Sequence, residues 1–252
     1  MRSIAFDIET EPNQDKVEEL DAMPVKPNGR LKDPTKIEQH AEERRSKRRE
    51  RAALSPFFGR VISWHVAMDG VDGKVRCVSE FREPSLVIDP PLGGETTRHV
   101  HNATDADGAE RKLIQSLVEF LERHDGDQVV TYYGAAFDIP FLQRRSFILG
   151  GTFPAIETGK YKVANPFGAH LDVYAYLTDY RDDPLGLPQK LANYAHWLLG
   201  EEPPFDDHEH KTKYAEWFRE GNLEPLRIAG EWDALMTYKL GAACRILGGD
   251  KS

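Results

Sequence analysis

The sequence predicts an α/β fold, in which a mixed sheet with an antiparallel β1-β2-β3 opening and later parallel strands is flanked by helices. Three observations predict it: an alternating apolar segment begins the chain, two more strand-like segments follow, and from residue 109 onward helical patterns alternate with short strands. No internal repeat or linker interrupts residues 1–252. We therefore expect a single domain with a charged insertion at about residues 12–54.

Composition excludes several classes of protein. The chain has 252 residues, 40% hydrophobic, which is enough for a sizeable core. Its two cysteines lack metal-site spacing, so we expect no disulfide framework or zinc site and a cytoplasmic location. Neither a signal peptide nor a membrane span is predicted. The net charge of −9 argues against binding nucleic acid through overall charge, but not through a local groove or a metal-neutralised site.

The first strand carries two carboxylates on one face. In MRSIAFDIET, residues 1–10, alternation directs Ile4, Phe6 and Ile8 to one side and Asp7 with Glu9 to the other. Two such carboxylates are either a solvated pair or ligands of a hard cation such as Mg²⁺ or Mn²⁺.

The second and third strands follow a polar insertion over residues 12–58, which ends in a charged helical tract. Strand-like segments at 61–68 and 75–81 are separated by Asp-Gly steps at 69–73 that favour a hairpin turn. Residues 82–108 are rich in Pro, Gly, Thr and Asp and are predicted to be a loop.

The second half of the chain alternates helices with short strands. An apolar stripe predicts a helix at about 109–124, a buried strand is predicted at 128–134, and Pro140 marks the first turn of a helix that ends near Gly150. Residues 171–173 are expected to form a last short strand. From 187 onward the pattern is helical, in three segments: 187–200, 210–221 and 223–249.

Two further carboxylates lie in suggestive places. Asp138 follows a strand and a turn, and ligands in open α/β sheets collect at the carboxyl ends of strands. Alternatively, Asp138 is an ordinary helix N-cap. Asp233 lies on the last helix beside a packed apolar face, or is simply a solvated helical Asp.

The order of these carboxylates resembles the DEDD 3′–5′ exonucleases of the ribonuclease H-like fold, and most closely the exonucleases related to the proofreading domain of B-family polymerases. The matching segments are FDIET (6–10), SPFFGRVISWHVA (55–67), VVTYYGAAFDIPFLQRR (129–145), HLDVYAYL (170–177) and GEWDALMTYKL (230–240). The resemblance implies a metal-dependent 3′–5′ exonuclease that hydrolyses DNA ends, single-stranded or frayed, to nucleoside 5′-monophosphates. The four carboxylates Asp7, Glu9, Asp138 and Asp233 would ligate two ions, Mg²⁺ or Mn²⁺.

The same resemblance implies contacts with the nucleic-acid substrate. Thr10 would approach the terminal nucleotide, and Phe137 would stack on a base, although a buried Phe is an equally simple interpretation. Arg144 and Arg145 would contact phosphates, or they are solvated residues on a helix face. DNA is favoured over RNA, because nothing in the sequence recognises a 2′-hydroxyl. A polymerase domain has no room here, so proofreading would require an unidentified partner chain.

The sequence departs from the family where a water-activating residue is expected. The family carries a Tyr four residues, or a His five residues, before the last Asp, and here these positions hold Ala229 and Ile228. Three other residues are candidates for this role: His208, His210 and Tyr238. The alternative function is a catalytically impaired relative that binds nucleic-acid ends or a protein partner, and a third is an RNA exonuclease. Tyr133 also stands where the family commonly has Asn.

Two charged segments remain. Arg44–Arg51, RRSKRRER, is the strongly basic tract of the chain. It is either a helix that grips a nucleic-acid backbone or an exposed helix closed by its own salt bridges. The DDHEH cluster at 206–210 lacks a defined ligand spacing and is interpreted as loop polarity.

Overall fold

A computed structural model describes residues 2–26, 29–30, 32–70, 74–82, 98–101, 105–205 and 207–249. Within these residues the strands are β1 (Ser3–Pro12), β2 (Gly59–Asp69), β3 (Val75–Arg82), β4 (Arg98–His101), β5 (Gln128–Thr131) and β6 (His170–Asp172). The helices are α1 (Val17–Ala22), α2 (Pro34–Glu50), α3 (Ala106–Arg123), α4 (Asp138–Ile148), α5 (Val173–Thr178), α6 (Leu191–Leu199), α7 (Asp207–Arg219) and α8 (Leu223–Leu247). Two 3-10 turns, at Gln14–Lys16 and Ala52–Leu54, flank α1 and α2.

The strands form one mixed sheet in the order β4-β3-β2-β1-β5-β6. β1 pairs antiparallel with β2, and β2 pairs antiparallel with β3. On its other edge β1 pairs parallel with β5, which pairs parallel with β6. The predicted fold class, an antiparallel opening followed by parallel strands, is confirmed.

β4 corrects the prediction that residues 82–108 are a loop. Four residues, Arg98–His101, pair parallel with β3 at the edge of the sheet. The segment RHVH contains one apolar residue, Val100, so its sequence has no alternation to read. The free edge of β3 supplies the hydrogen-bonding partners that make it a strand. The turn at 71–73 and residues 83–97 lie outside the described part of the chain.

β1 separates two packed layers, as its alternation predicts. Ile4, Phe6 and Ile8 are buried in the main core with residues of α3 and α4. Ala5 faces the other side, in a smaller core that includes Leu240 of α8. Asp7 and Glu9 follow Ala5 at strand spacing and therefore share its face. The sheet thus presents both carboxylates to the helix that carries Asp233.

Glycines let α8 lie directly on the sheet. A Cβ added to Gly230 would lie 2.2 Å from the Cδ2 atom of His65 on β2, and one added to Gly241 would lie 2.7 Å from a methyl group of Val130 on β5. Both distances are too short for any other residue without movement of the sheet or the helix. Because Gly230 is three residues before Asp233, this close approach positions that carboxylate above β1 and β2.

A buried polar network also fastens α8 to the sheet. His65 is bonded through Nε2 to Ser63 Oγ (2.9 Å) and through Nδ1 to Ser79 Oγ (3.0 Å). Ser79 donates to Glu231 (3.0 Å), which also accepts from Arg227 (2.8 Å). Since Ser79 gives its proton to Glu231, its oxygen accepts from His65 Nδ1–H. Complete burial lowers the pKa of His65 to about 3, so the imidazole is neutral.

Two element boundaries differ from the sequence predictions. β5 ends at Thr131 rather than at residue 134, because Tyr133 adopts a left-handed backbone with φ of 66° and turns the chain. α4 begins at Asp138, two residues before Pro140. Among the described residues, no helix has the length and apolar character needed to cross a membrane.

Candidate metal centre

Three acidic side chains converge where β1 faces α8. Asp7 and Glu9 come from β1 and Asp233 from α8, and one oxygen of each lies within 4.8 Å of the other two. Glu9 is 8% exposed, whereas Asp7 and Asp233 are partly exposed. The cluster is therefore buried at Glu9 and open to solvent at Asp7 and Asp233. These are three of the four carboxylates that the sequence analysis proposed as ligands.

The geometry of β1 explains why these side chains are accessible. β5 pairs with β1 only as far as Ala5, so the edge of β1 beyond that point is not covered by a strand. On the other edge the register with β2 shifts, since Glu9 is opposite Ser63 but Thr10 is opposite Val61. This β-bulge changes the direction of the strand immediately after Glu9.

Asp138 lies at the edge of β1 that no strand covers. It is the first residue of α4, it is 4% exposed, and the backbone N–H of Ile8 donates a hydrogen bond to its carboxylate. Burial, followed by the nearby charges of Asp172 and Asp233, raises the pKa of Asp138 to about 7. The alternative interpretation as an N-cap is wrong, because Phe137 occupies the N-cap position.

Tyr214 is a site residue that the sequence analysis missed. It lies on α7, is 6% exposed, and its phenol lies beside the carboxylates of Glu9, Asp233 and Asp7. Burial and the charges of Glu9, Asp233 and Asp7 raise the pKa of the phenol. The phenol therefore keeps its proton beside these carboxylates. No local signal marks it, since Tyr214 occupies an apolar helical position beside Phe218 and resembles any other core residue.

The residues proposed to contact nucleic acid differ in how far they are exposed. Thr10 is half-buried directly after Glu9. Phe137 packs partly buried against the main core, with its ring centroid 5.5 Å from that of Phe141. Arg144 is exposed and has no bonded partner among the described residues. It remains available as a phosphate contact.

The prediction that Arg145 contacts phosphate is wrong. Its side chain is 3% exposed, and its guanidinium donates to both carboxylate oxygens of Glu110 at 2.8 and 2.7 Å. Glu110 also accepts from the backbone N–H of Val61 at 2.8 Å. The ion pair of Arg145 with Glu110 thus connects α4, α3 and β2, and Arg145 is not available to a phosphate.

The position at which the family carries its water-activating Tyr is occupied here by Ala229, in apolar surroundings. Ala229 is 3% exposed and packs against Ile62 and Phe81. Tyr238, one proposed substitute, donates its hydroxyl to Asp69 at the far end of β2, beside the start of β1, so that proposal is wrong. The side chains of His208 and His210 lie outside the described part of the chain.

The donor set suits a hard divalent cation. Mg²⁺ and Mn²⁺ prefer carboxylate oxygens, and here several carboxylates approach one another closely enough that their repulsion needs a positive charge to offset it. Burial, with a smaller contribution from the charges of Asp172 and Asp233, raises the pKa of Asp138 in the same region. Asp7, Glu9 and Asp233 would hold the ions, with Asp138 beside them.

The chain is similar in sequence to two DNA polymerases. It is 27% identical to a DNA polymerase of Archaeoglobus fulgidus over 170 residues, which cover 64% of this chain and 21% of the polymerase. It is 24% identical to a DNA polymerase of Pyrococcus glycovorans over 143 residues, 53% of this chain and 18% of that protein. The chain thus spans about a fifth of the length of these relatives.

The fold has a counterpart in a solved polymerase. The family B DNA polymerase of Pyrobaculum calidifontis matches 98% of this chain and 24% of its own, with a TM-score of 0.51 and 17% identity, which supports the fold alone. The RNase_H superfamily model matches residues 92–239, more than half of the sequence. The matched region includes α4 with Asp138 and most of α8 with Asp233. The chain belongs to the RNase_H superfamily.

Proposed function

We propose that this protein is a divalent-metal-dependent 3′–5′ exonuclease that hydrolyses phosphodiester bonds at DNA 3′ ends and releases nucleoside 5′-monophosphates. The observation that carries the proposal is the convergence of Asp7, Glu9 and Asp233 within 4.8 Å, with Asp138 buried next to them. The segments FDIET and FDIPFL, which resemble the DEDD exonucleases, support the 3′–5′ direction.

In the proposed reaction, residues of the chain would bind the metal ions and the substrate. Two bound cations would lower the pKa of the attacking water and stabilise the leaving 3′-oxygen. Asp7, Glu9 and Asp233 would bind them, and the neutral phenol of Tyr214 lies beside the Glu9 carboxylate. Arg144, which is exposed on α4, would contact a phosphate of the substrate.

Similarity to DNA polymerases supports DNA as the substrate. Both relatives and the solved structure are polymerases by name, and the chain matches only a fifth to a quarter of each. A 3′ end that is single-stranded or frayed suits the partly open cluster, since the terminal phosphodiester must reach Asp7 and Asp233 from the exposed side.

The test is degradation of 5′-labelled single-stranded DNA, recessed duplex DNA and RNA in Mg²⁺ or Mn²⁺. The wild type is expected to give a ladder that shortens from the 3′ end, and Asp7→Ala and Asp138→Ala are expected to abolish it. Asp125→Ala, which removes an exposed aspartate at the other end of the sheet, is the matched control and should be as active as wild type. No shortening of any substrate by correctly folded wild type would refute the proposal.

A second candidate is a catalytically impaired relative that binds nucleic-acid ends. It is favoured by Ala229, which replaces the expected tyrosine with a buried methyl group. Loss of a general base typically lowers the rate about 10²–10⁴-fold. This candidate predicts binding of DNA ends with no shortening in either ion, whereas the exonuclease predicts slow but metal-dependent shortening.

A further inference from the structure

The charged helix α2 has two chemically different faces. At 100° per residue, Lys36, Arg44, Lys47 and Arg51 fall within about 80° of arc, on one side of the helix. We call these four residues the basic stripe. All four are exposed, and His40 lies between them on the same side, partly buried.

The opposite face is closed by ion pairs and hydrogen bonds. Arg45 bonds Glu38 and Glu42, both at 3.1 Å. Arg49 bonds Asp21 at 3.0 Å and Glu42 at 2.6 Å. Arg49 holds α2 against α1, and both cations neutralise acidic residues of the insertion. They are part of its structure and are not available to a ligand.

The basic stripe has no such partners. None of its four side chains forms an ion pair or hydrogen bond within the part of the chain that the structure describes. The whole chain carries a net charge of −9, so four exposed cations in a row are a local exception. A row of unpaired Lys and Arg side chains is complementary to a row of phosphates.

The position of α2 connects the stripe to the carboxylates. The insertion leaves the sheet after Pro12 and returns at Gly59, and these two residues pair with each other. Its two stems are also tied by the Asn13 N–H, which donates to the Phe58 carbonyl at 2.7 Å. Glu9 lies three residues before Pro12, which is about 10 Å of strand. Ala53, two residues after Arg51, lies against Gly59, so the Arg51 end of the stripe lies at the base of the insertion, near this end of β1.

We infer that the basic stripe of α2 binds the phosphate backbone of the single nucleic-acid strand whose 3′ end occupies the carboxylate cluster. This inference rests on the proposed function for the direction of the strand. Residues 36 to 51 span about 22 Å of helix, so the stripe serves a strand several nucleotides long and does not reach a very short one.

The stripe makes a quantitative prediction about salt. For a single strand, the slope of log K against log salt concentration is about −0.7 per phosphate contact. Loss of three contacts should make the slope shallower by about 2. Between 50 and 200 mM salt, the wild type should then lose about 20-fold more affinity than a variant that lacks those contacts.

The binding experiment compares two triple variants. Arg44→Gln, Lys47→Gln and Arg51→Gln together remove most of the stripe, and Gln preserves the helix. Arg2→Gln, Lys74→Gln and Arg123→Gln remove the same charge from exposed residues at the opposite end of the sheet. Fluorescence anisotropy with a 5′-labelled 20-nucleotide DNA strand, and with the RNA strand of the same sequence, is measured in EDTA so that nothing is cleaved.

We expect the stripe variant to lose at least 10-fold in affinity for the DNA strand at 50 mM salt and to show the shallower slope, while the control variant follows the wild type. Equal affinities and equal slopes for the two variants, or no binding by the wild type, would overturn the inference. Circular dichroism of each variant checks that α2 and the fold are retained.

A kinetic arm separates this inference from the proposed function. In Mn²⁺ the stripe variant should lose about 10-fold in kcat/KM on the 20-nucleotide strand and nothing on a trinucleotide. An equal loss on both would show that the variant disturbs the carboxylate cluster, and no loss on either would show that the stripe is not used; both results contradict the inference. If the wild type hydrolyses neither strand, the proposed function fails, and the anisotropy still decides whether the stripe binds nucleic acid.

Discussion

Two neighbouring buried aspartates, at the carboxyl ends of β5 and β6, differ in how their charge is compensated. Asp172 ends β6 and is completely buried, and its carboxylate accepts four hydrogen bonds from donors of the chain itself. They come from the backbone N–H groups of Tyr133 (3.0 Å), Ala135 (2.9 Å) and Ala175 (3.1 Å) and from the hydroxyl of Tyr180 (3.1 Å).

Asp138 has the opposite environment. It is almost as buried, but it faces Asp172 and Asp233, and its pKa is raised to about 7. A carboxylate whose acceptor sites are filled by the chain holds the fold together. A buried carboxylate that lies near other carboxylates is destabilising until a cation or a proton compensates its charge. The comparison shows that hydrogen-bond donors and neighbouring charges, rather than burial, distinguish a structural aspartate from a candidate ligand.

The largest expected difference between the two aspartates is in activity. Asp138→Asn should lower hydrolysis of single-stranded DNA about 10³-fold or more, because it removes charge that the cations require. Asp172→Asn should stay within about 10-fold of wild type when it is assayed well below its unfolding temperature. A loss of activity in Asp172→Asn as large as that in Asp138→Asn would contradict the different roles assigned to the two aspartates.

Stability should show the reverse order. Asp172→Asn places an amide against donors that need an acceptor and should lower the free energy of unfolding by about 2–3 kcal/mol. Asp138→Asn removes like-charge repulsion and keeps an acceptor for Ile8 N–H, so in EDTA its free energy of unfolding should equal or exceed that of wild type. Urea unfolding measures both variants. A strongly destabilised Asp138→Asn would contradict the assignment.

The pH dependence of the free energy of unfolding also distinguishes Asp138 from Asp172. The folded protein holds a proton on Asp138 up to a pKa of about 7, whereas the unfolded chain releases it near 4. The folded state therefore binds more protons in this range, and in EDTA the free energy of unfolding should fall by about 2 kcal/mol as pH rises from 5 to 7. Asp138→Asn should remove most of this decrease. An unchanged pH dependence in the variant would show that another group causes it.

The smallest effect concerns the turn that brings Tyr133 to Asp172. Tyr133 has φ of 66°, a conformation that Asn adopts more readily than other residues with a Cβ. This is a physical reason for the Asn that related exonucleases commonly have here. Tyr133→Asn should be more stable than Tyr133→Ala by about 1 kcal/mol, since both lose the same half-exposed ring. Equal stability in urea would show that the turn relaxes.

Local patterns in the sequence predicted much of the fold and two members of the cluster, Asp7 and Glu9. The alternation in FDIET placed Asp7 and Glu9 on one face, and the observed sheet confirms the predicted strand directions. That placement needed only the period of a strand. The meeting of β1 with α8, by contrast, depended on the resemblance to known exonucleases, because Asp233 is more than two hundred residues away in sequence.

Other features depended on distant partners and could not be predicted. Arg144 and Arg145 are adjacent and chemically identical, yet one is exposed and the other is buried against Glu110 of another helix. Tyr214 looks like any apolar helical position until α7 packs beside Glu9. The two faces of α2 follow from helical spacing, but only the structure shows that Asp21 of α1 pairs with one of them.

The most direct test of the account is calorimetric titration of the metal-free protein with Mn²⁺, carried out in parallel on wild type, Asp138→Asn and Asp172→Asn. The account predicts that wild type and Asp172→Asn bind two ions each with similar affinity. It predicts that Asp138→Asn binds fewer ions, or binds them at least 10-fold more weakly. No binding by wild type, or a loss in Asp172→Asn equal to that in Asp138→Asn, would contradict the claim that Asp7, Glu9 and Asp233, with Asp138 beside them, form a metal centre.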